Sequence, residues 1–334
     1  GPFGRRRRPP IGFFYAAVGI ATASWFVTPL PEWLASAVVD AIPIEEDISL
    51  GAQGAAMADY RLAPADIQQR VKAIGRDILR AVASHHPQLV EAYDWRFHCT
   101  SQSFVNAFAY PGGRIYITRG LADSSTDDEL AAVIGHEVGH VLHRHSQKRM
   151  VQHRLGAILL RALTGDGDGD GRSEGFGREV AGQLAAHASQ LSKMAYSRSN
   201  EYEADHVGWY ACALMGPSCQ PDALARFFRK LDGGQGSTEW DSTHPGTHDR
   251  IQHLERMAAD FDRTSRERGR VHAASHLAPP SLARGGPAKL VSRATSAVAA
   301  FWSALPSGVQ TQMLIEGMWL AAEGLQQGWE VAEP

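Results

Sequence analysis

The sequence predicts an α+β fold, mainly helical, with a small β-sheet whose edge strand borders a cleft. Three observations carry the prediction. Residues 126–142 repeat apolar side chains at helical spacing around His136-Glu-Val-Gly-His140, and a second helical pattern runs over roughly 180–215. Between them in kind, two short apolar or alternating runs, 104–109 and 114–118, flank Tyr110-Pro-Gly-Gly113, where glycine supplies the positive φ of a hairpin turn.

The elements follow in chain order. Arg5 to Arg8 form a block of positive charge, no charged residue follows until Glu32, and residues 11–30 are long enough to span a bilayer as a helix. The positive-inside rule then holds the arginines on the cytoplasmic or matrix side and puts the rest of the chain across the membrane. A signal peptide cleaved near Ala21-Thr-Ala23, or the tail of an organellar transit sequence, is the rival reading. In the connector that follows, Trp33, Leu34, Val38, Val39 and Ile42 are expected at the membrane interface. Pro64 to Ala83 reads as an amphipathic helix, with Ile67, Val71, Ile74, Ile78 and Leu79 on its core side.

The helix over 126–142 opens with Thr126 and Glu129, a capping-box pair, and with acidic residues in its first turn. Leu130, Val133, Ile134, Val138, Val141 and Leu142 make a core-facing stripe, so one side is expected to be buried. His136 and His140 lie four apart on one face, where both imidazoles reach a single zinc ion while Glu137 flanks its water. Gly139 leaves room for close approach of another element. His143 and His145 read as helix-end residues rather than ligands.

A catalytic zinc needs a third protein ligand and an open position. In the second helix Glu201 and Asp205 share a face one turn apart. Taken alone, Glu201 reads as an ordinary helix-surface charge; as a ligand, a carboxylate there would close the coordination sphere, and one at 205 would accept the free N–H of a ligand histidine. Glu203 points away around the helix and is expected to face solvent.

His136-Glu-Val-Gly-His140-Val-Leu-His-Arg-His and Ser197-Arg-Ser-Asn-Glu201-Tyr-Glu-Ala-Asp205 resemble the gluzincin zinc metallopeptidases of the HtpX, CAAX prenyl protease, BepA-type and OMA-type group. So do Asn106-Ala-Phe-Ala-Tyr-Pro-Gly-Gly and Ser242-Thr-His244-Pro-Gly-Thr-His-Asp-Arg250, in the same order. In layout the chain is most similar to the OMA-type and BepA-type members. The resemblance implies a zincin-type metallopeptidase domain with one Zn²⁺ per chain, ligated by His136, His140 and Glu201, with Glu137 as general base. Asp205 and Arg250 stand behind the ligands. His244 lies near the metal, stabilising the oxyanion or occupying the open position, and Gly246 stands where a second proline is common in that element. By analogy with such peptidases, Arg114 to Thr118 is the expected edge strand, with Arg114, Ile115, Tyr116 and Ile117 pairing with an extended substrate.

Gly165-Asp-Gly-Asp-Gly-Asp-Gly171 lacks the acidic twelfth position of an EF-hand, since residue 177 is Gly, and reads as an acidic surface loop. Of three cysteines, Cys212 and Cys219 are close enough to pair in an oxidising compartment, but free buried thiols are the default expectation. Domain organisation is read as an anchor segment over 1–44, a catalytic domain over 45–265, a linker rich in Arg, Ser, Pro and Gly over 266–288, and a helical extension over 289–334 with Trp302, Leu314, Met318, Trp319 and Trp329. A net charge of −3 gives no reason to invoke nucleic acid. Expected partners are protein or peptide substrates and a membrane, mitochondrial inner or bacterial envelope, with homo-oligomerisation left open.

Overall fold

Thr126 begins the element on which everything else is hung. Its hydroxyl accepts from the Glu129 N–H, and Glu129 Oε2 accepts from the Thr126 N–H at 2.9 Å, closing the capping box that starts a helix over Asp127–Leu142. The computed structural model describes residues 35, 36, 39, 40, 42–152, 196–232, 237–276, 278 and 279. Among these, residues 145–152 are helical, and the helices bounded at both ends are α1 (Ile44–Ala58), α2 (Ala65–Ala83), α3 (Pro87–Glu91), α4 (Arg119–Ser124), α5 (Asp127–Leu142), α6 (Arg198–Met215), α7 (Ala223–Asp232), α8 (Ser237–Thr243), α9 (Thr247–Arg268) and α10 (Arg270–His276). The strands are β1 (Arg96–Thr100), β2 (Ala107–Tyr110) and β3 (Arg114–Thr118). The α+β prediction holds.

The periodicity of α5 suggested burial on one side; the structure buries it all round, every residue from Glu129 to Val141 included. Neighbours on several sides explain this: α6 packs along it, α2 and α7 flank it, and β2 covers the rest. Glycine sets the distance to α6. A Cβ on Gly139 would stand 2.8 Å from Ala204 Cα and 2.9 Å from its carbonyl oxygen, both backbone atoms that cannot swing aside. Gly139→Ala gains about 1 kcal/mol of helix propensity. It loses ~1–3 kcal/mol to overpacking, so a thermal scan is expected to show a net fall in Tm, and a rise would overturn the close-packing argument.

The sheet corrects the expected substrate strand. Its order is β1-β3-β2, with β1 and β3 parallel and β2 and β3 antiparallel in the register Ala107↔Ile117 and Tyr110↔Arg114. β3 is therefore the central strand. Arg114, Ile115, Tyr116 and Ile117 spend their backbone groups on both neighbours and offer no edge to a substrate. The hairpin itself is as expected, turned at Gly112 with φ 77° and Gly113 with φ 108°. Strand β2 is the one that borders the cleft: the carbonyl of Ala109 accepts from Ser146 Oγ at 3.3 Å, and that of Ala107 lies 3.3 Å from His244 Nε2.

Beyond α5 the chain turns through Arg144, a non-glycine residue at φ 54°. Its guanidinium donates to both Asp47 oxygens at 2.7 and 2.8 Å and to the carbonyls of Val39 and Ile42 at 2.6 and 2.8 Å, which ties Val39, Ile42 and Asp47 to the end of α5. Val39, expected at a membrane interface, is fully buried. Arg144→Ala leaves Asp47 as an uncompensated buried carboxylate, so it is expected to destabilise by about 3–5 kcal/mol. Denaturant titration checks this, and an unchanged midpoint would contradict it.

Three further expectations change. Helix α6 starts only at Arg198, with the Ser197 hydroxyl accepting from the Asn200 N–H, and Tyr196 and Ser197 are not helical. Residues 266–268 and 270–276, expected within a linker, belong to α9 and α10, with Ala273 and Ala274 buried. Cys212 and Cys219 are joined as a disulfide instead of standing free, and Cys99 is buried. No helix among the described residues is long and apolar enough to cross a membrane. The expected anchor over 11–30, the acidic loop over 165–171 and the extension over 289–334 lie outside the described residues.

Candidate metal centre

α5 and α6 bring three sets of donor atoms to one point. His136 Nε2 and His140 Nε2 stand 3.0 Å apart, and the Glu201 oxygens lie 3.6 Å from the first and 3.5 Å from the second. His244, from the loop between α8 and α9, adds Nδ1 at 3.3 Å from His136 Nε2 and from both Glu201 oxygens. Bonds of ~2.0–2.1 Å around a tetrahedral zinc ion leave ligand atoms roughly 3.3 Å apart, so the donor set fits zinc. Each of these side chains is essentially inaccessible to solvent.

Polar atoms also approach the remaining nitrogens of the two α5 histidines. His136 Nδ1 is 2.9 Å from Asp205 Oδ1, and His140 Nδ1 is 2.8 Å from His145 Nδ1. Behind them Arg250 clamps Asp205 through Nε at 2.7 Å and Nη2 at 2.6 Å, and reaches Glu201 Oε2 through Nη1 at 2.6 Å. Burial opposes ionisation of both carboxylates, but Arg250, aided by His244 at Glu201 and His136 at Asp205, holds Glu201 well below and Asp205 below the usual range. Burial pushes His140 well below its ordinary value, leaving a lone pair for a metal.

Glu137 differs from every other acid in the centre. It is fully buried, neither oxygen has a hydrogen-bond partner among the described residues, and burial pushes its pKa up. A carboxylate in that condition costs several kcal/mol of desolvation, which makes it a poor structural choice and an apt proton acceptor.

His244 is held where it is by aromatic and polar contacts that the sequence reading missed. Trp240 stacks on its ring at 4.3 Å, Arg250 Nη1 donates to its carbonyl at 3.2 Å, and Thr243 Oγ1 donates to Asn106 Oδ1 at 3.3 Å. Gly246, at φ 86°, is the left-handed residue that opens α9, a conformation closed to proline, and His244 reaches the centre regardless. On the other side Tyr196 stacks on His140 at 3.7 Å, and its hydroxyl meets Ser146 Oγ at 3.0 Å.

Of the residues expected in the site, His136, Glu137, His140, Glu201, Asp205, His244 and Arg250 come together. Arg114, Ile115, Tyr116 and Ile117 do not. Ile115 and Ile117 are core residues, Arg114 pairs with Asp94 at 3.4 Å, and Tyr116 stacks on Phe108 at 5.5 Å. Glu203, expected in solvent, is half-exposed but lies within 3.2 Å of both His143 and His145.

A model of peptidase family M48 matches residues 65–258. Among curated relatives, the metalloprotease LoiP of Escherichia coli is 37% identical over 160 residues, which is 47% of this chain and 60% of that protein. The metalloprotease YcaL of the same organism is 31% identical over 164 residues, 48% of this chain and 60% of that one. The mitochondrial metalloendopeptidase OMA1 of Bos taurus is 29% identical over 177 residues, 50% of this chain and 33% of the relative. The chain thus spans at most three fifths of the length of these relatives.

Proposed function

Since the chain belongs to peptidase family M48, we propose that it is a zinc-dependent endopeptidase cleaving extended segments of membrane-associated or misfolded proteins. The observation that carries this reading is Glu137, a buried carboxylate with no hydrogen-bond partner among the described residues, beside the convergent donors of His136, His140 and Glu201. His136 Nε2, His140 Nε2 and Glu201 would hold the ion. Bound there, zinc supplies Lewis acidity, which lowers the pKa of water from 15.7 to about 7 and polarises a carbonyl. Glu137 takes the proton of the attacking water on a carboxylate oxygen and returns it to the leaving nitrogen. Asp205 keeps the His136 Nδ1 proton in place, so Nε2 stays a donor of electrons.

His244 Nδ1 occupies the place a water would need, and Nε2 lies 3.5 Å from Glu137 Oε1. The arrangement is a closed resting form, and turnover requires His244 to withdraw toward α8. An extended substrate would then lie along β2, whose Ala107 and Ala109 carbonyls face the site. His244→Ala is expected to raise the initial rate of casein cleavage by on the order of tenfold, the reciprocal of a competent fraction near one in ten. A loss of rate would assign His244 to oxyanion stabilisation instead.

The Cys212–Cys219 disulfide supports an oxidising compartment, and the Arg5–Arg8 block supports an anchor that puts this domain on the trans side of a mitochondrial inner or bacterial envelope membrane. A second reading, a zinc-bound scaffold with little turnover, is favoured by the same inserted His244. Metal analysis together with casein cleavage by the wild type and Glu137→Gln separates the two: zinc bound with equal cleavage in both would remove the enzyme reading.

A further inference from the structure

A second group of donors stands behind His140. Arg144, at φ 54°, breaks the chain between α5 and the helical residues 145–152, and the rings of His143 and His145 stack at 5.1 Å and 22°. Both reach one oxygen: Glu203 Oε2 lies 3.2 Å from His143 Nδ1 and 3.0 Å from His145 Nε2. Donor atoms of the three residues all fall within 4.8 Å of one another. The two nitrogen–oxygen separations are close to the edge of roughly 3.3 Å expected around a tetrahedral zinc-sized ion. The His145 side chain is fully buried and that of His143 nearly so, while that of Glu203 is 49% exposed, giving a fixed floor of imidazoles and a carboxylate at the mouth.

We propose that His143, His145 and Glu203 form a second divalent-cation site, reached from solvent past Glu203, whose occupancy opposes that of the His136–His140–Glu201 site. Two imidazoles and one carboxylate suit zinc and its transition-metal neighbours and disfavour magnesium and calcium.

The opposition comes from a single proton. His140 Nδ1 and His145 Nδ1 face each other at 2.8 Å, so one must carry hydrogen and the other accept it. An ion on His140 Nε2 puts that hydrogen on His140 Nδ1. His145 then keeps its own hydrogen on Nε2 and donates it to Glu203, forming a relay that orients the first site. An ion on His145 Nε2 demands hydrogen on His145 Nδ1. With both ions bound, two N–H groups would point at each other across 2.8 Å, so one ring must turn or release a proton to solvent. The opposition rests on His140 being a ligand of the first site; the second cluster does not.

Equilibrium dialysis of the full chain against buffered Zn²⁺, with folding followed by circular dichroism, tests the proposal. The wild type is expected to take up two equivalents in separate steps, and His143→Ala and Glu203→Gln to keep only the first. His140→Ala is expected to lose the first and bind at the second about tenfold more tightly than the wild type does. A single equivalent in the wild type that His136→Ala removes, or a second equivalent surviving in both folded variants, overturns the site. Equal second-step affinity in the wild type and His140→Ala overturns the opposition. One equivalent that survives His136→Ala and vanishes in His143→Ala supports the second cluster and sinks the first-site reading instead.

Discussion

Glu137→Gln is expected to cut hydrolysis of unfolded casein by about 10²–10⁴-fold, the usual worth of a positioned general base, with zinc content unchanged. Two features of the site make the prediction specific. On the proposed assignment Glu137 is not among the residues that would hold the ion, His136, His140 and Glu201, so an amide there leaves those donor atoms in place. It is also fully buried without a hydrogen-bond partner among the described residues, so replacing the carboxylate removes a desolvation cost and breaks no bond. The thermal transition is therefore expected to hold or rise as activity falls. That opposite movement separates a catalytic acid from a structural one: a variant that lost zinc, or unfolded earlier, would make Glu137 part of the scaffold. Casein turnover, zinc content and Tm measured on one preparation decide it.

Much of this site is legible in the sequence because its parts are local. Thr126 and Glu129 sit at capping-box spacing, His136 and His140 four apart, and Glu201 and Asp205 four apart, and each pair needs only a helix to meet. His244 and Arg250 had no such period to expose them and came through resemblance alone. What stayed hidden depended on long-range pairing or a broken period. Strand β1 pairs in parallel with β3 from 18 residues earlier, Arg96 against Arg114, and that pairing moves the free edge from β3 to β2. A single αL residue, Arg144, turns His143 and His145 onto Glu203 when helical projection separates all three. Tyr196 and Trp240, which stack on His140 and His244, lie in segments with no pattern to announce a role.

Removing Arg250 is expected to have a large effect on stability. The guanidinium is buried among Asp205, Glu201 and, further off, Glu137, and it is the cation that allows the first two to remain ionised out of water. Arg250→Met keeps most of the volume and deletes the charge, which for a buried network costs about 3–5 kcal/mol because its partners are left uncompensated. The sign of the pH dependence follows from the depressed carboxylates. Their folded-state pKa values lie below the unfolded ones, so the stabilisation is fully present above the unfolded carboxylate range and is lost as pH falls through the folded values. The gap in stability between wild type and Arg250→Met should therefore be widest near neutrality and shrink in acid. A bound divalent ion supplies positive charge at the same carboxylates, so zinc is expected to raise the Tm of Arg250→Met more than that of the wild type, measured against EDTA. Matching Tm values at neutral pH without metal would show that Arg250 does not hold the two carboxylates in their charged form, and an equal zinc response in both proteins would show that the ion and the guanidinium do not act on the same charges.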